Sequence, residues 1–217
     1  MAYHGYIPLL QSYTEAFQNP SLLEVGVDKG QTMFPLVNYL SKRFHKEGQE
    51  NSFLYTGIDV LIRDHVNIIT DYINRDIYHV RWPETYLQNF TGFIELLEAN
   101  SLKILPDIAN RGNKYHIVLI DGDHNYATVS KELQYASKMV YSNGIIVCDD
   151  YHGQGGSQNE YRSDDLNFYD GEKVNLNVEN LITRQNDESV SKAGVKAAVD
   201  EFLYHNKEWA SIQIYES

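Results

Sequence analysis

Carboxylates follow directly on two strongly apolar segments of the sequence. Asp121 and Asp123 come after the run YHIVLI, and Asp149 and Asp150 come after the run IIVC. If these runs are neighbouring strands, the four carboxylates converge, and their mutual repulsion raises their pKa values or demands a cation. A set of oxygen donors suits Mg²⁺ or Ca²⁺ better than zinc. The spacing therefore predicts a cation-binding or acid–base site.

Histidines stand beside both pairs of carboxylates. His124 follows Asp123 directly, and His152 comes two residues after Asp150. Either imidazole is able to add a nitrogen ligand or to act as a base. A structural interpretation stays open, because Asp residues at such positions also cap the helices that follow them.

A glycine loop follows the first apolar run. Glu24, Gly26 and Gly30 form the pattern Glu-x-Gly-x-x-x-Gly, whose glycines allow a tight turn and the close approach of a ligand. The pattern lacks the middle glycine of Gly-x-Gly-x-x-Gly, and this argues against a dinucleotide ligand. The alternative is that both glycines only shape a turn.

The ends of two further predicted strands also carry polar side chains. Asp59 ends the second strand and is suited to accept hydrogen bonds from both hydroxyls of a ribose. Asn100 and Ser101 follow the third strand and are suited to hold the edge of an adenine ring. A helix cap by Ser101 is an equally good interpretation.

The elements that must position these residues alternate along the chain. Apolar runs typical of buried strands alternate with helical stripes at least five times. Such alternation predicts an α/β fold, with a mostly parallel sheet and helices on both faces. Right-handed crossovers bring every carboxyl end to one edge of the sheet, where ligands bind.

Some segments are less regular. Residues 93–99 fit a strand or a helix, and the alternation favours a strand; a helix from about Leu102 is expected to bend or end near Pro106. Asn143 and Gly144 predict a turn, and residues 209–215 predict a final strand. The polar, tyrosine-rich segment 152–188 predicts a mobile cover over the pocket in which a substrate would bind at this edge of the sheet.

Composition limits the classes of protein. A length of 217 residues fits one domain, residues 1–217, with an insertion. The net charge of −12 argues against general nucleic-acid binding. With Cys148 as the single cysteine, no intrachain disulfide forms, which fits a cytoplasmic location. No apolar run is long enough for a membrane helix. Homo-oligomer formation stays open.

Together the motifs resemble a known enzyme family. The glycine loop, Gly57-Ile58-Asp59, Ala99-Asn100-Ser101, the segment from Asp121 to Tyr126 and the Asp149-Asp150 pair occur in the order of class I S-adenosylmethionine-dependent methyltransferases. The branch is the one with an Asp-Gly-Asp-His-x-Tyr motif, which is similar to the macrocin-type sugar O-methyltransferases. Residues 194–202 resemble the last helix of that branch.

The resemblance implies a Rossmann-like sheet of seven strands and methyl transfer to a hydroxyl of a small-molecule acceptor, such as a sugar. It implies that Asp121, Asp149 and Asp150 hold Mg²⁺ and that Asp123 is the general base. The S-adenosylmethionine site would comprise Glu24, Gly26, Gly30, Asp59, Asn100, Ser101 and Asp121. The alternatives are a nucleotide-sugar or NAD-dependent enzyme on a similar sheet, and a binding module without catalysis.

Overall fold

The computed structural model describes residues 5–47, 53–62, 64, 66–67, 93–151 and 194–212. The expected cover at 152–188 lies outside these ranges. The mixed pattern and Pro83 of residues 63–89 predict one or two helices, and most of that segment also lies outside them. Five strands and five helices have defined bounds in the described residues. They are α1 (Ile7–Thr14), β1 (Ser21–Val25), α2 (Met33–Glu47), β2 (Leu54–Asp59), β3 (Phe93–Glu98), α3 (Ser101–Asn110), β4 (Tyr115–Ile120), α4 (Tyr126–Met139), β5 (Val140–Cys148) and α5 (Gly194–His205).

The five described strands form one sheet in the order β3-β2-β1-β4-β5, and every neighbouring pair is parallel. The chain builds outward from β1 to β3 and then returns to place β4 on the other side of β1. This reversal of direction creates the crevice in which ligands of open α/β sheets bind. The predicted parallel α/β sheet is confirmed.

The strands are buried because helices cover both faces of the sheet. All five residues of β1 are buried, as expected for a parallel strand between two helical layers. One core contains α1 and α2 and includes Leu10, Val37 and Leu40. The other core contains α3, α4 and α5, where Leu105, Val129, Leu133 and Ala198 meet the opposite face of the sheet.

The register of the strands aligns their carboxyl ends. Val25 of β1 lies opposite Ile58 of β2 and opposite Ile120 of β4, while Ile120 also lies opposite Cys148 of β5. The next residue of each strand or loop is Gly26, Asp59, Asp121 or Asp149. The polar residues predicted from strand ends therefore share one edge of the sheet.

The segment before β5 differs from the prediction. Asn143 and Gly144 do not form a turn; they lie inside β5, which starts at the residue after α4. Tyr115 pairs with Val140 and Ile117 pairs with Ile145, so five steps along β5 oppose two along β4 and three extra residues are absorbed. Gly144 permits this irregularity, because a Cβ there would lie 2.8 Å from the His116 carbonyl oxygen.

Two further predictions about helices and strands need revision, and a third is untested. The α3 helix does not end near Pro106 but continues to Asn110. Residues 209–212 of the expected last strand are not in a strand, and the Trp209 ring packs edge-on against Phe202 of α5, with ring centroids 5.7 Å apart. The remainder of that segment lies outside the described residues, so the count of seven strands is untested beyond the five seen.

The α1 helix was not predicted. Pro8 stands in its first turn, where a missing N–H costs no hydrogen bond, and Ile7, Leu10 and Thr14 form its buried face. Within the part of the chain that the structure describes, no helix combines the length and the apolar character needed to cross a membrane.

Candidate active site at the carboxyl edge of the sheet

The glycine loop is shaped by close contact between backbones. Gly26 has a φ of +92°, and a Cβ at this position would lie 2.1 Å from the carbonyl oxygen of Asp121. The Gly26 N–H donates to the Ile58 carbonyl at 2.8 Å, and the Asp121 N–H donates to the Val25 carbonyl at 2.8 Å. Only glycine fits this junction of β1, β2 and β4.

Gly30 has a different place in the same loop. Its N–H donates to the Val27 carbonyl at 2.7 Å, and its φ of +74° turns the chain towards α2, where Phe34 packs against it. Gly26 lines the pocket described below, whereas Gly30 is not among its lining residues. The structure therefore brings Gly26 to the candidate site and gives Gly30 the turn-forming role that the sequence left open.

Asp59 organises the glycine loop. One carboxylate oxygen, Oδ2, accepts hydrogen bonds from the backbone N–H groups of Val27 and Asp28, both at 2.9 Å. The other oxygen, Oδ1, accepts from the Leu61 N–H at 3.0 Å. A carboxylate has about four acceptor positions, so one remains for a ligand hydroxyl. Asp59 also lines the pocket.

Glu24 lies beneath the pocket and does not line it. The side chain is only 3% exposed, and the Tyr55 hydroxyl donates a hydrogen bond to its Oε2. Burial, together with the negative charges of Asp121 and Asp59, raises the pKa of Glu24 well above its usual range. The structure does not bring this carboxyl into the pocket wall as a cofactor contact.

A pocket opens at this edge between the glycine loop and the N-termini of α3 and α4. It contains five of the seven residues predicted to bind the cofactor, together with Asp123. The lining residues are Val25, Gly26, Asp28, Ile58, Asp59, Val60, Ala99, Asn100, Ser101, Leu102, Asp121, Gly122, Asp123, Thr128 and Glu132.

The start of α3 answers the question left open about Asn100 and Ser101. Asn100 is the helix cap, because its side-chain oxygen accepts a hydrogen bond from the Leu102 N–H at 2.9 Å. The Ser101 hydroxyl instead donates to Glu132 of α4 at 2.6 Å. The expected cap by Ser101 is thus wrong, and both side chains face the pocket.

Asp123 is held in a fixed orientation at the start of α4. Its Oδ1 accepts from the Asn125 N–H at 3.2 Å, and its Oδ2 accepts from the Thr128 hydroxyl at 2.6 Å. The cap of α4 is Asn125, whose side chain accepts from the Ala127 N–H at 3.0 Å. The Asp123 carboxylate is therefore positioned beside the pocket by two donors.

Asp121, Asp149 and Asp150 follow directly on the ends of β4 and β5, and their joint binding of a cation stays a prediction. The Asp149 N–H donates to the Ile120 carbonyl at 3.0 Å. His124 stands between two of the carboxylates, with Nδ1 3.4 Å from Asp150 Oδ2 and Nε2 4.0 Å from Asp121 Oδ1. Burial favours the neutral ring, but the neighbouring carboxylates of Asp121, Asp150 and Asp123 raise the pKa of His124.

The chemistry of these side chains fits a hard cation, because three carboxylates supply oxygen donors only. Their arrangement does not yet form a metal centre: among the residues that the structure describes, no three His, Cys, Asp or Glu side chains are gathered to hold a metal ion. The His124 imidazole lies between Asp121 and Asp150 instead.

Two residues near the site were missed in the sequence. Tyr6, only 6% exposed, lies with its hydroxyl 3.4 Å from Thr32 Oγ1, and burial followed by the charges of Asp121 and Asp149 raises its pKa. Glu132 lies among the buried residues of α4 and lines the pocket. A charged residue inside an apolar helical stripe was the signal for Glu132, whereas Tyr6 stands before a helix that was not predicted.

The family is decided by the sequence between β1 and the end of β5. Residues 23–151 match the family described as "Methyltransferase domain". The chain belongs to this family of methyltransferases. The match begins within β1 and ends just after Asp150, so it contains every predicted site residue of this methyltransferase. No curated protein sequence matches the chain significantly.

Solved structures with a similar chain path include other methyltransferases. MycE methyltransferase from the mycinamycin biosynthetic pathway, in complex with Mg and SAH, has 15% identity and a TM-score of 0.47; the match covers 94% of this chain and 44% of that one. A candidate caffeoyl-CoA O-methyltransferase from Staphylococcus aureus has 12% identity and a TM-score of 0.49, with 94% and 75% covered. The methyltransferase described here thus spans less than half of the MycE chain.

Proposed function

We propose that this methyltransferase transfers the methyl group of S-adenosylmethionine to a hydroxyl of a small-molecule acceptor. One observation supports this most directly: a single pocket joins Gly26, Asp59 and Ser101 to the carboxylate of Asp123. The first three residues are suited to a nucleoside with an amino-acid tail, and the carboxylate is suited to a proton. Cofactor and base would therefore meet in one cavity.

The cofactor would lie along the edge of the sheet. Its amino-acid end would approach the backbone at Gly26, where the absence of a side chain leaves room for a ligand. One ribose hydroxyl would use the remaining acceptor position of Asp59, and the adenine would lie against Ala99 and Ser101. The sulfonium methyl would then point towards the ends of β4 and β5.

Methyl transfer needs an oxygen nucleophile in line with the carbon–sulfur bond. As the acceptor oxygen forms its bond to the methyl carbon, the carbon–sulfur bond breaks and S-adenosylhomocysteine leaves. Asp123 would take the hydroxyl proton, and the hydrogen bond from Thr128 would fix the carboxylate for that step. Holding both reactants in line supplies much of the rate enhancement. Resemblance of the motifs to macrocin-type enzymes is what favours a sugar as acceptor.

We further propose that Asp121, Asp149 and Asp150 hold Mg²⁺. The support is their donor chemistry, and like charges about 4 Å apart repel by about 4 kcal/mol at an effective dielectric near 20. When bound, the ion would lower the pKa of the acceptor hydroxyl. Mg²⁺ would have to compete with His124 for the carboxylates of Asp121 and Asp150. Because Asp149 would supply a third oxygen ligand, Asp149→Asn should weaken Mg²⁺ binding while cofactor affinity changes little.

Calorimetry followed by an activity screen tests this function. We expect the protein to bind S-adenosylmethionine and S-adenosylhomocysteine, but not NAD, and to methylate sugar or other hydroxyl acceptors in a Mg²⁺-dependent way. Binding of NAD alone would support the dinucleotide-dependent alternative. Cofactor binding without transfer to any acceptor class would support a non-catalytic module. Full activity in EDTA would remove the metal from the proposal and leave methyl transfer intact.

A further inference from the structure

A buried carboxyl group on α4 forms part of the pocket wall. Glu132 is only 1% exposed, yet it lines the pocket between α3 and α4. Its Oε1 accepts a hydrogen bond from the Ser101 hydroxyl at 2.6 Å. Its Oε2 is buried and has no hydrogen-bond partner among the residues that the structure describes. Such orphan polar atoms are rare in folded proteins and call for a missing partner.

The protonation of Glu132 determines what that partner must be. Burial raises the pKa of this carboxyl to about 8, with the Asp123 charge acting in the same direction and the Ser101 hydrogen bond opposing it. At neutral pH most molecules therefore carry a proton on Glu132. Because Oε1 accepts from Ser101, the proton belongs on Oε2, which becomes a buried donor in the residue that lines the pocket wall.

The pocket that Glu132 lines is suited to a flat, largely apolar ring. Ile58, Val60, Ala99 and Leu102 line the same pocket and provide apolar contacts. Asp59, the proposed ribose acceptor, lies at the end of β2, and Ser101 follows the neighbouring strand β3. A base attached to a ribose at Asp59 would turn the edge remote from the sugar towards the part of the wall where Ser101 and Glu132 are hydrogen-bonded.

We infer that Glu132, aligned by Ser101, recognises the N1–N6 edge of the cofactor's adenine and selects adenine over hypoxanthine. This inference rests on the proposed S-adenosylmethionine site. Adenine presents an acceptor at N1 beside the N6 amine, and the Oε2 hydroxyl of Glu132 donates to N1. Hypoxanthine presents an N–H at position 1 and an oxygen at position 6, so the same carboxyl meets a donor with a donor.

Binding of two probes tests this role by calorimetry. Wild-type protein should bind S-adenosylhomocysteine at least about tenfold more tightly than S-inosylhomocysteine, the scale of one hydrogen bond. Glu132→Met should bring the two affinities within about threefold, because the apolar side chain reads neither edge. Glu132→Gln should retain the preference, since its amide N–H replaces the carboxyl O–H. Gln134→Met, on the exposed side of α4, is the matched control and should behave like the wild type.

The outcomes separate this inference from the proposed function. If the wild type binds neither probe, both fail. If it binds S-adenosylhomocysteine and Glu132→Met keeps the full preference, Glu132 has only a structural role and the inference fails alone. Should Glu132→Met not fold, the 1-deaza analogue of S-adenosylhomocysteine decides with the wild type, because removal of N1 should cost about tenfold in affinity. Equal affinity for that analogue overturns the inference.

Discussion

At the carboxyl ends of β1 and β2, acidic side chains accept backbone hydrogen bonds or are buried. At the ends of β4 and β5, two carboxylates lie on either side of an imidazole. Asp59 accepts three backbone hydrogen bonds and Glu24 is buried with a raised pKa, whereas Asp121 and Asp150 flank His124. The first half is therefore held by backbone and core contacts, and the second half contains an ionisable side chain between carboxylates.

This difference fits the two reactants of a methyltransferase. A cofactor that is the same in every turnover is bound best by a rigid, preorganised half, because ordering costs are then small. An acceptor that has to lose a proton is suited to the half in which carboxylates surround an ionisable side chain.

The largest effect is expected at Glu132, the buried carboxyl of α4 that lines the pocket. The pKa of Glu132 is raised to about 8, above its value in the unfolded chain. Between about pH 5 and 8 the folded state therefore binds more protons than the unfolded state, and stability falls as pH rises. Glu132→Gln should reduce the slope of unfolding free energy against pH by up to about 1.4 kcal/mol per pH unit.

Urea unfolding at several pH values measures that slope. The exposed Glu95→Gln is the control and should leave the slope unchanged. If the unfolding free energies of Glu132→Gln and the wild type show the same dependence on pH, Glu132 is ionised in the folded protein, and its description as a protonated carboxyl is wrong.

The two halves meet where the Gly26 backbone contacts the Asp121 carbonyl, and this contact gives the second test. Gly26→Ala should destabilise the fold by about 3 kcal/mol, because it adds a clash with the Asp121 carbonyl to the cost of a positive φ. Gly112→Ala is a matched control, since Gly112 has a φ of +76° with open space around it. It should cost only about 1–2 kcal/mol. Equal losses in urea unfolding would mean that the two backbones separate easily at Gly26.

How far the sequence predicts this site depends on the type of contact. Strand ends and glycines were predictable, because periodicity locates β1, β2 and β4 and their parallel register then aligns Gly26, Asp59 and Asp121. The cap at Asn100 and the irregular pairing at Gly144 were not, because they depend on which of two adjacent residues meets a neighbouring backbone. Glu132 was missed because its burial arises only when α4 packs against the sheet and α3.

Substitution of Asp123 tests whether this residue is the general base of the proposed methyl transfer. Asp123→Asn should lower turnover about 100-fold, the scale of a lost general base, with little change in cofactor affinity. The fold should survive, because an amide oxygen can still accept from the Asn125 N–H while the Thr128 hydroxyl reverses its role. Steady-state kinetics on an acceptor found by the screen measures this. Thr128→Val, which loses only the orienting hydrogen bond, should show a smaller loss, and an unaffected Asp123→Asn would assign the base elsewhere.

The smallest effect is expected at Asp59, where two roles can be separated. Asp59→Ala removes the acceptor for Val27, Asp28 and Leu61, and it should weaken S-adenosylhomocysteine binding by at least about 1.5 kcal/mol. Glu98→Ala is the control, because Glu98 ends the neighbouring strand, accepts from Ile62 and is not among the residues lining the pocket. It should change affinity much less.

The 2′-deoxy analogue of S-adenosylhomocysteine then distinguishes loop support from direct contact. If Asp59 uses its remaining acceptor position for the ribose, the wild type should prefer the 2′-hydroxyl form by several-fold, and Asp59→Ala should lose that preference. If Asp59 only holds the glycine loop, the variant should bind both probes more weakly and keep the preference. The second result would mean that Asp59 only stabilises the glycine loop and that another group in the pocket binds the ribose hydroxyl.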